Sequence, residues 1–492
     1  MSDPPLFFAQ TSDFQLSPRL QGLGEPVSGY GGDVLVDGSE GTADHLSALG
    51  GSRAVTFAAM SGGGSDPSAG TDHGSSRGAR HGGRPCSRPV ALANTSANPA
   101  AWPGGEDLGA GEEEARAASR RIPVLVPDMP PAEMVLPHLR RMDETGWYTN
   151  FGPLVGELEE RLANRLSGSE RDLAIRVATT SSGTMAIELA MAALVPRPGT
   201  RIMIPGFNFP AAATAALRLG HEPVLCDVDA AAWILTPEIA RAVCRRFEVG
   251  LVVPVATFGR PLDVEAWDAF TNETGIPVLI DAAAAFDGQR VGRTTTVVFS
   301  FHATKPFGIG EGGLVATTSG RIARRARRLS NFGFVDGVVR EAGGGNGKLS
   351  EYHAAVGLAQ LERWDGIKRR RRALARQYAY ELALNGNGVC VQQGWGNFGP
   401  ANLTVALGEA AMTHGIADKL EAAGIETRRW YCPSLTRHPV FRQLPRAATD
   451  GDALDVCESL CQCTLGLPFH GCMTAEDVTT VCRHLSTLIQ KP

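Results

Sequence analysis

The segment VLIDAAAAFDG (278–288), followed by TTTVVFSFHATKPFGIGEGG (294–313), decides how this chain folds. Each carries a short run that is apolar on both faces, and each run stops at a polar residue, Asp281 in the first and Ser300 in the second. A strand without a polar face is covered by helices on both sides, which is the habit of parallel sheets. Outward from this pair the same pattern recurs at Ile175 to Ala178, Arg201 to Ile204, Val224 to Asp227, Leu251 to Val255 and Leu314 to Thr317. Segments of helical periodicity alternate with these runs, at 183–194, 209–219, 236–246 and 262–274, and a charged one precedes them at 153–166. The alternation predicts an α/β fold, a large domain (121–365) with a mainly parallel sheet covered by helices. A long charged helix over about 350–385 leads into a smaller C-terminal α+β domain (366–492).

Composition changes near residue 121. Gly, Ser and Pro supply 45 of the first 120 residues. Such a segment buries too little apolar surface to offset its ordering entropy, so residues 1–120 are expected to be a disordered low-complexity tail. The chain has 492 residues, with 47 Lys+Arg against 52 Asp+Glu and a net charge of −5. That sign disfavours a nucleic-acid or acidic-membrane partner. The basic strings RIARRARRL (321–329) and KRRRR (368–372) are expected to be solvated helix faces or interface pairs. No apolar run reaches roughly 18 residues and no secretory leader is visible, so a cytoplasmic protein is the expectation. Cys457, Cys461, Cys463 and Cys472, with His470 nearby, lack the paired spacing of a zinc site and are read as buried free thiols. No metal is expected.

In parallel α/β sheets chemistry collects at the carboxyl ends of the strands. One strand ends in Thr179-Thr180-Ser181-Ser182-Gly183-Thr184 and runs into a helix. Small residues there suit either an ordinary helix cap or an anion held by the helix N-terminus. Another ends before Pro205-Gly206-Phe207-Asn208-Phe209, bringing an aromatic ring to the same rim. Asp281 closes an apolar strand, where a carboxylate needs a cation or a donor. Ser300 and Lys305 stand at a further strand end beside a glycine-rich turn, and a lysine in such surroundings becomes a nucleophile once desolvated. An anion cradle, a stacking ring, a carboxylate and a lysine are together what pyridoxal 5'-phosphate (PLP) requires. The run Gly308 to Gly313 is a weak match to a dinucleotide loop, because a β-like run, LVATT, follows it instead of a helix.

The ordered set GWYTNFGPLVGELEERLA, SSGTMAIELA, IPGFNFPAAATAALRLGHEPVLCDVD, VVPVATFGRPLDVEAW, VLIDAAAAFDG, FSFHATKPFGIGEGGLVAT, NFGF, NGKLSEYHAAVGLAQLERWD and GIETRRWYCPS resembles the DegT/DnrJ/StrS family of PLP-dependent sugar aminotransferases. The resemblance runs from about Pro127 to Leu485 and implies a fold-type I PLP transferase. It implies that Lys305 forms the Schiff base with PLP, that Asp281 keeps the pyridine nitrogen protonated, and that Phe209 stacks on the ring. Gly183, Thr184 and Ser300 would bind the phosphate. Asn346 would reach the neighbouring subunit's phosphate, which makes the active unit a homodimer. Three departures stand out: Ala284 replaces the usual Gln or His, Asn208-Phe209 replaces Thr-Phe, and Gly347-Lys348 replaces an aromatic-Arg pair.

The implied reaction is ping-pong transfer of an amino group from an amino acid, by resemblance L-glutamate, to a keto-sugar. That acceptor is expected to be nucleotide-linked, a 3- or 4-keto-6-deoxy sugar. Arg428 and Arg429, beside Trp430 and Tyr431, are candidates to meet its diphosphate or base. The alternatives are a keto-cyclitol acceptor, or a non-catalytic regulator that keeps the PLP fold.

Overall fold

A computed structural model of the chain describes residues 121–167, 173–385, 388–408 and 410–490. The low-complexity segment 1–120, and with it the expected disorder, lies outside these residues. In chain order the elements are α1 (Ala132–Thr145), α2 (Pro153–Ser167), β1 (Arg176–Thr180), α3 (Gly183–Leu194), β2 (Arg201–Pro205), α4 (Ala211–Arg218), β3 (Glu222–Cys226), α5 (Pro237–Cys244) and β4 (Leu251–Val252). There follow α6 (Val264–Thr274), β5 (Leu279–Asp281), β6 (Thr296–Ser300), β7 (Gly313–Thr317), α7 (Gly320–Leu329), β8 (Phe334–Val335), β9 (Val338–Val339) and α8 (Glu351–Asn385). The last are β10 (Cys390–Val391), β11 (Leu403–Ala406), α9 (Ala410–Ala422), β12 (Arg446–Ala447), α10 (Asp455–Cys463), β13 (Thr464–Leu467) and α11 (Ala475–Gln490).

The strands pair in the orders β1-β7-β6-β5 and β12-β3-β2-β4. Parallel bridges Val252↔Val278 and Val255↔Asp281 join the two groups along the β4 and β5 segments. The sheet is mainly parallel, as the doubly apolar runs predict. β7 is the exception: it runs antiparallel to both β1 and β6. The reason is local. After β6 the chain folds back through a tight turn, with Phe301 N donating to Gly312 O and Ala303 N to Gly310 O. No crossover helix intervenes, so the next strand must return in the opposite sense.

Both site-bearing strands are buried along their whole length. Beneath them Phe286 packs against Phe299, Phe301, Phe307 and Trp364, with ring centroids 4.5–5.6 Å apart. Trp364 belongs to α8, so this aromatic cluster fixes the long helix under the strand ends. The basic run of α8 is paired where it meets the protein. Asp287 accepts from Lys368 Nζ at 2.6 Å, Trp364 Nε1 at 2.8 Å and Arg165 Nε at 2.9 Å. At its other end α8 serves α2: fully buried Glu351 accepts the N–H groups of Leu154 and Val155 at 2.8 and 2.9 Å. These are first-turn donors with no intrahelical acceptor, and a carboxylate there also meets the positive end of the helix dipole.

The C-terminal residues build an antiparallel sheet, β10-β11-β13. Its core joins Leu374 and Tyr378 of α8 to Leu403, Leu465, Phe469 and Val478. Ile122 belongs to this core and pairs with Ile425, so the start of the described chain packs with the C-terminal residues. No described helix is long and apolar enough to cross a membrane.

Candidate active site

Four strand ends converge. β1 leads into α3 through Ser182, whose Oγ caps the helix by accepting Met185 N at 3.1 Å. The N–H groups of Gly183 and Thr184 belong to the same first turn, where an α-helix offers no internal acceptor. Gly183 lies so close to β6 that a Cβ there would stand 2.6 Å from Ser300 Cβ and 2.8 Å from its Oγ. Only glycine permits that approach. Gly313 does the same from β7, where a Cβ would meet Ser182 O at 2.4 Å. A helix N-terminus and a serine hydroxyl are thereby pressed into one small cradle, the arrangement that receives a phosphate.

Asp281 is 5% exposed and accepts Ala283 N at 3.0 Å on one oxygen. Burial raises its pKa, against the opposing pull of the Ala283 N–H and of Lys305. Lys305 lies in the turn after β6. Desolvation lowers its pKa, and the charge of Asp281 opposes that shift. The two groups sense each other's charge, yet no direct ion pair between them is present among the described residues. A desolvated amine and a buried carboxylate held apart beside an anion cradle fit PLP in chemistry: aldehyde, pyridine nitrogen and phosphate each have a partner.

The other sequence-derived residues take different places. Phe209 is 61% exposed at the rim, uncovered by the core. Next to it Asn208 accepts Phe209 N at 2.7 Å through Oδ1, while its buried Nδ2 has no partner. Asn346 is exposed and bridges Asn331 through the backbone. The residue after it, Gly347, accepts Ser181 N at 2.8 Å, so the Asn346 loop lies against the cradle's own strand end. Ala284 lines a small cavity of about 50 Å³ with Pro306, Trp364 and Lys368.

Tyr431 is a residue that sequence reasoning mentioned only as a neighbour of Arg428 and Arg429. Its ring stacks on Phe258 at 5.3 Å and meets Phe207 edge-on at 5.5 Å. Its hydroxyl is desolvated beside Asp281, and both burial and that carboxylate raise its pKa. The ring therefore walls the Asp281 side of the site. The string Arg428 to Tyr431 attracted notice in the sequence, but nothing in it says which side chain turns inward. Arg429 is not available to a diphosphate: its Nη2 donates to the carbonyls of Cys461 and Gln462 at 3.0 and 2.8 Å. Of the cysteines read as buried, Cys457, Cys461 and Cys463 are buried and Cys472 is exposed, because it follows the turn after β13 and lies outside the helix.

Comparison with known proteins bears on the family. The model of the DegT/DnrJ/EryC1/StrS aminotransferase family matches residues 132–486. Protein Rv3402c of Mycobacterium tuberculosis is 34% identical over 378 residues, covering 73% of this chain and 88% of the relative. Among solved structures, DesI in the presence of its TDP-sugar product has a TM-score of 0.66 and 29% identity over 76% of this chain and 95% of DesI. The aminotransferase TlmJ from Streptoalloteichus hindustanus has a TM-score of 0.64 and 27% identity over 75% of this chain and 99% of TlmJ. The family model matches most of the described residues, so this chain belongs to the DegT/DnrJ/EryC1/StrS family and is a PLP-dependent aminotransferase.

Proposed function

We propose that the protein moves an amino group from L-glutamate to a keto-sugar carried on a nucleoside diphosphate, with Lys305 and Asp281 as its catalytic residues. The observation that carries this reading is the unpaired arrangement of Lys305 and Asp281 beside the Gly183–Ser300 cradle. The acceptor class draws support from DesI, whose structure was determined in the presence of its TDP-sugar product. When bound, PLP supplies an aldehyde that condenses with amines and a pyridinium ring that takes up electron density.

The chain's own residues do the rest. Gly183, Thr184 and Ser300 would hold the phosphate, and Phe209 would stack on the ring. Asp281 would keep the proton on the ring nitrogen. Lys305 would take the proton from the donor's α-carbon as a general base and return it as a general acid. Its lowered pKa serves that task, because a neutral amine is the form that accepts a proton. The same steps in reverse deliver nitrogen to the acceptor.

The reading extends to assembly and place. The active unit is a homodimer in which Asn346 reaches the partner's cradle; the exposure of Asn346 and of Phe332, Phe334, Val338 and Val339 on the preceding hairpin supports it. Residues 121–365 form the cofactor-binding domain and 366–492 the smaller one, in the cytoplasm. The test is a visible spectrum of the protein with PLP before and after L-glutamate. Bleaching of the yellow band that depends on Lys305 is expected. A protein that stays colourless, or whose bound PLP ignores every amino donor, overturns the proposal.

A further inference from the structure

Among the cysteines, one pair has a chemistry that the aminotransferase site does not use. Cys432 is exposed and follows Tyr431 directly; Cys461 is buried on α10. Their thiols stand within side-chain hydrogen-bonding reach. One guanidinium nitrogen independently shows how close the residues lie. Arg429 Nη2 is 3.9 Å from Cys432 Sγ and 3.0 Å from the Cys461 carbonyl. The Nε and Nη1 of Arg429 are buried without partners, so a cation with unspent hydrogens is held against the two residues. The thiolate is the attacking form of cysteine.

The rest of α10 faces elsewhere. Cys457 Sγ lies 3.6 Å from the Cys226 carbonyl and Cys463 Sγ 4.0 Å from the Leu460 carbonyl, both inside the core. Cys461 is thus the thiol of this helix that meets the segment after Tyr431. That segment is already tied to α10 by Glu458, which accepts from Ser434 Oγ at 2.8 Å, from Thr436 Oγ1, and from Arg437 Nε at 2.9 Å. All of these ties are polar and reversible. The two sulfurs offer a covalent one.

We propose that Cys432 and Cys461 form a reversible thiol–disulfide pair that locks the Tyr431 segment onto α10. The oxidant is a small-molecule disulfide such as oxidised glutathione. The Cys432 thiolate attacks one sulfur of it, a bond to Cys432 forms, the oxidant's S–S bond breaks, and one thiol leaves. Cys461 then attacks the Cys432 sulfur and expels the second thiol. The two cysteines lose two electrons and two protons, and two small thiols carry them away. Cys432 acts first because it meets solvent, and Cys461, buried on α10 beside it, follows as the resolving partner. The consequence for catalysis rests on the reading of Tyr431 and Asp281 as part of the site, whereas the sulfur chemistry does not.

The experiment uses the full chain, titrated with mixtures of reduced and oxidised glutathione, alkylated, and mapped as non-reduced peptides. A cross-linked peptide containing Cys432 and Cys461, removed by dithiothreitol and absent from Cys432→Ser, is the expected result. Cys432 accumulating only as a mixed disulfide while Cys461 stays alkylatable overturns the pair, and so does a link from Cys432 to any other cysteine. Amide exchange over 429–437 is read on the same samples. Slowing of at least threefold on oxidation is expected, and exchange equal in both forms overturns the lock. Neither readout passes through turnover, so failure of the aminotransferase reading leaves both intact.

Discussion

Gly183 and Ser300 touch more closely than any residue with a side chain at 183 would allow, with 2.6 Å between the position of a Cβ and Ser300 Cβ. This contact joins the N-terminus of α3 to the end of β6, and the cradle exists because of it. Gly183→Ala must therefore push Ser300 aside or tilt the helix. We expect PLP affinity to fall at least tenfold, with the far-ultraviolet spectrum of the fold retained. Equilibrium dialysis against PLP measures it, and unchanged affinity would show that the cradle does not hold the phosphate.

Lys305→Ala should remove the yellow band and reduce turnover by about 10²–10⁴-fold, the usual worth of a positioned acid–base group. Single-turnover bleaching with L-glutamate gives the comparison. A variant with wild-type rates would remove Lys305 from the mechanism.

The rate at which the apoprotein captures PLP should depend on pH through Lys305, because only its neutral amine attacks an aldehyde. Desolvation lowers this pKa, so capture should rise with pH through a midpoint below the ordinary lysine value of 10.5. Asp281 opposes the shift by favouring the charged ammonium. Its replacement in Asp281→Asn removes that opposition and should move the midpoint lower still. Stopped-flow absorbance across pH reads both, and a midpoint at or above the ordinary lysine value contradicts the desolvated environment.

Tyr431→Ala removes a ring that packs on both Phe258 and Phe207. Loss of a buried aromatic costs about 3–5 kcal/mol. Tyr431→Phe keeps the stack and should cost under about 1 kcal/mol while changing the surroundings of the Asp281 carboxylate. Urea unfolding separates the two. Equal losses for both variants would mean that the hydroxyl, and not the ring, carries the effect.

Glu351→Ala leaves the N–H groups of Leu154 and Val155 buried without an acceptor. Each unsatisfied group costs about 1–3 kcal/mol, so a destabilisation of at least ~2 kcal/mol is expected by denaturant melts. Glu351→Gln retains an acceptor oxygen and should recover part of it.

The sequence by itself determined the architecture and marked the candidate reacting groups. Runs such as Val278 to Asp281 and Val297 to Phe301 admit no solvated face, so a helix-covered sheet follows from burial alone. Polar residues at the ends of such runs, Asp281, Ser300 and the Lys305 turn, are legible for the same reason: an apolar strand tolerates a charge only at its edge. What the tertiary structure decided depends on contacts between segments that no local pattern links. The reversal of β7 comes from a turn with no crossover, which an apolar run read alone does not disclose. Tyr431 stands 150 positions after Asp281 and reaches it only because the C-terminal residues fold back over the strand ends. Arg429 turns into the protein and Cys432 meets Cys461 because the segment after Tyr431 packs on α10. Periodicity reports which face a residue occupies within its own element. The partner on the far side of that face is fixed by packing, which local sequence does not encode.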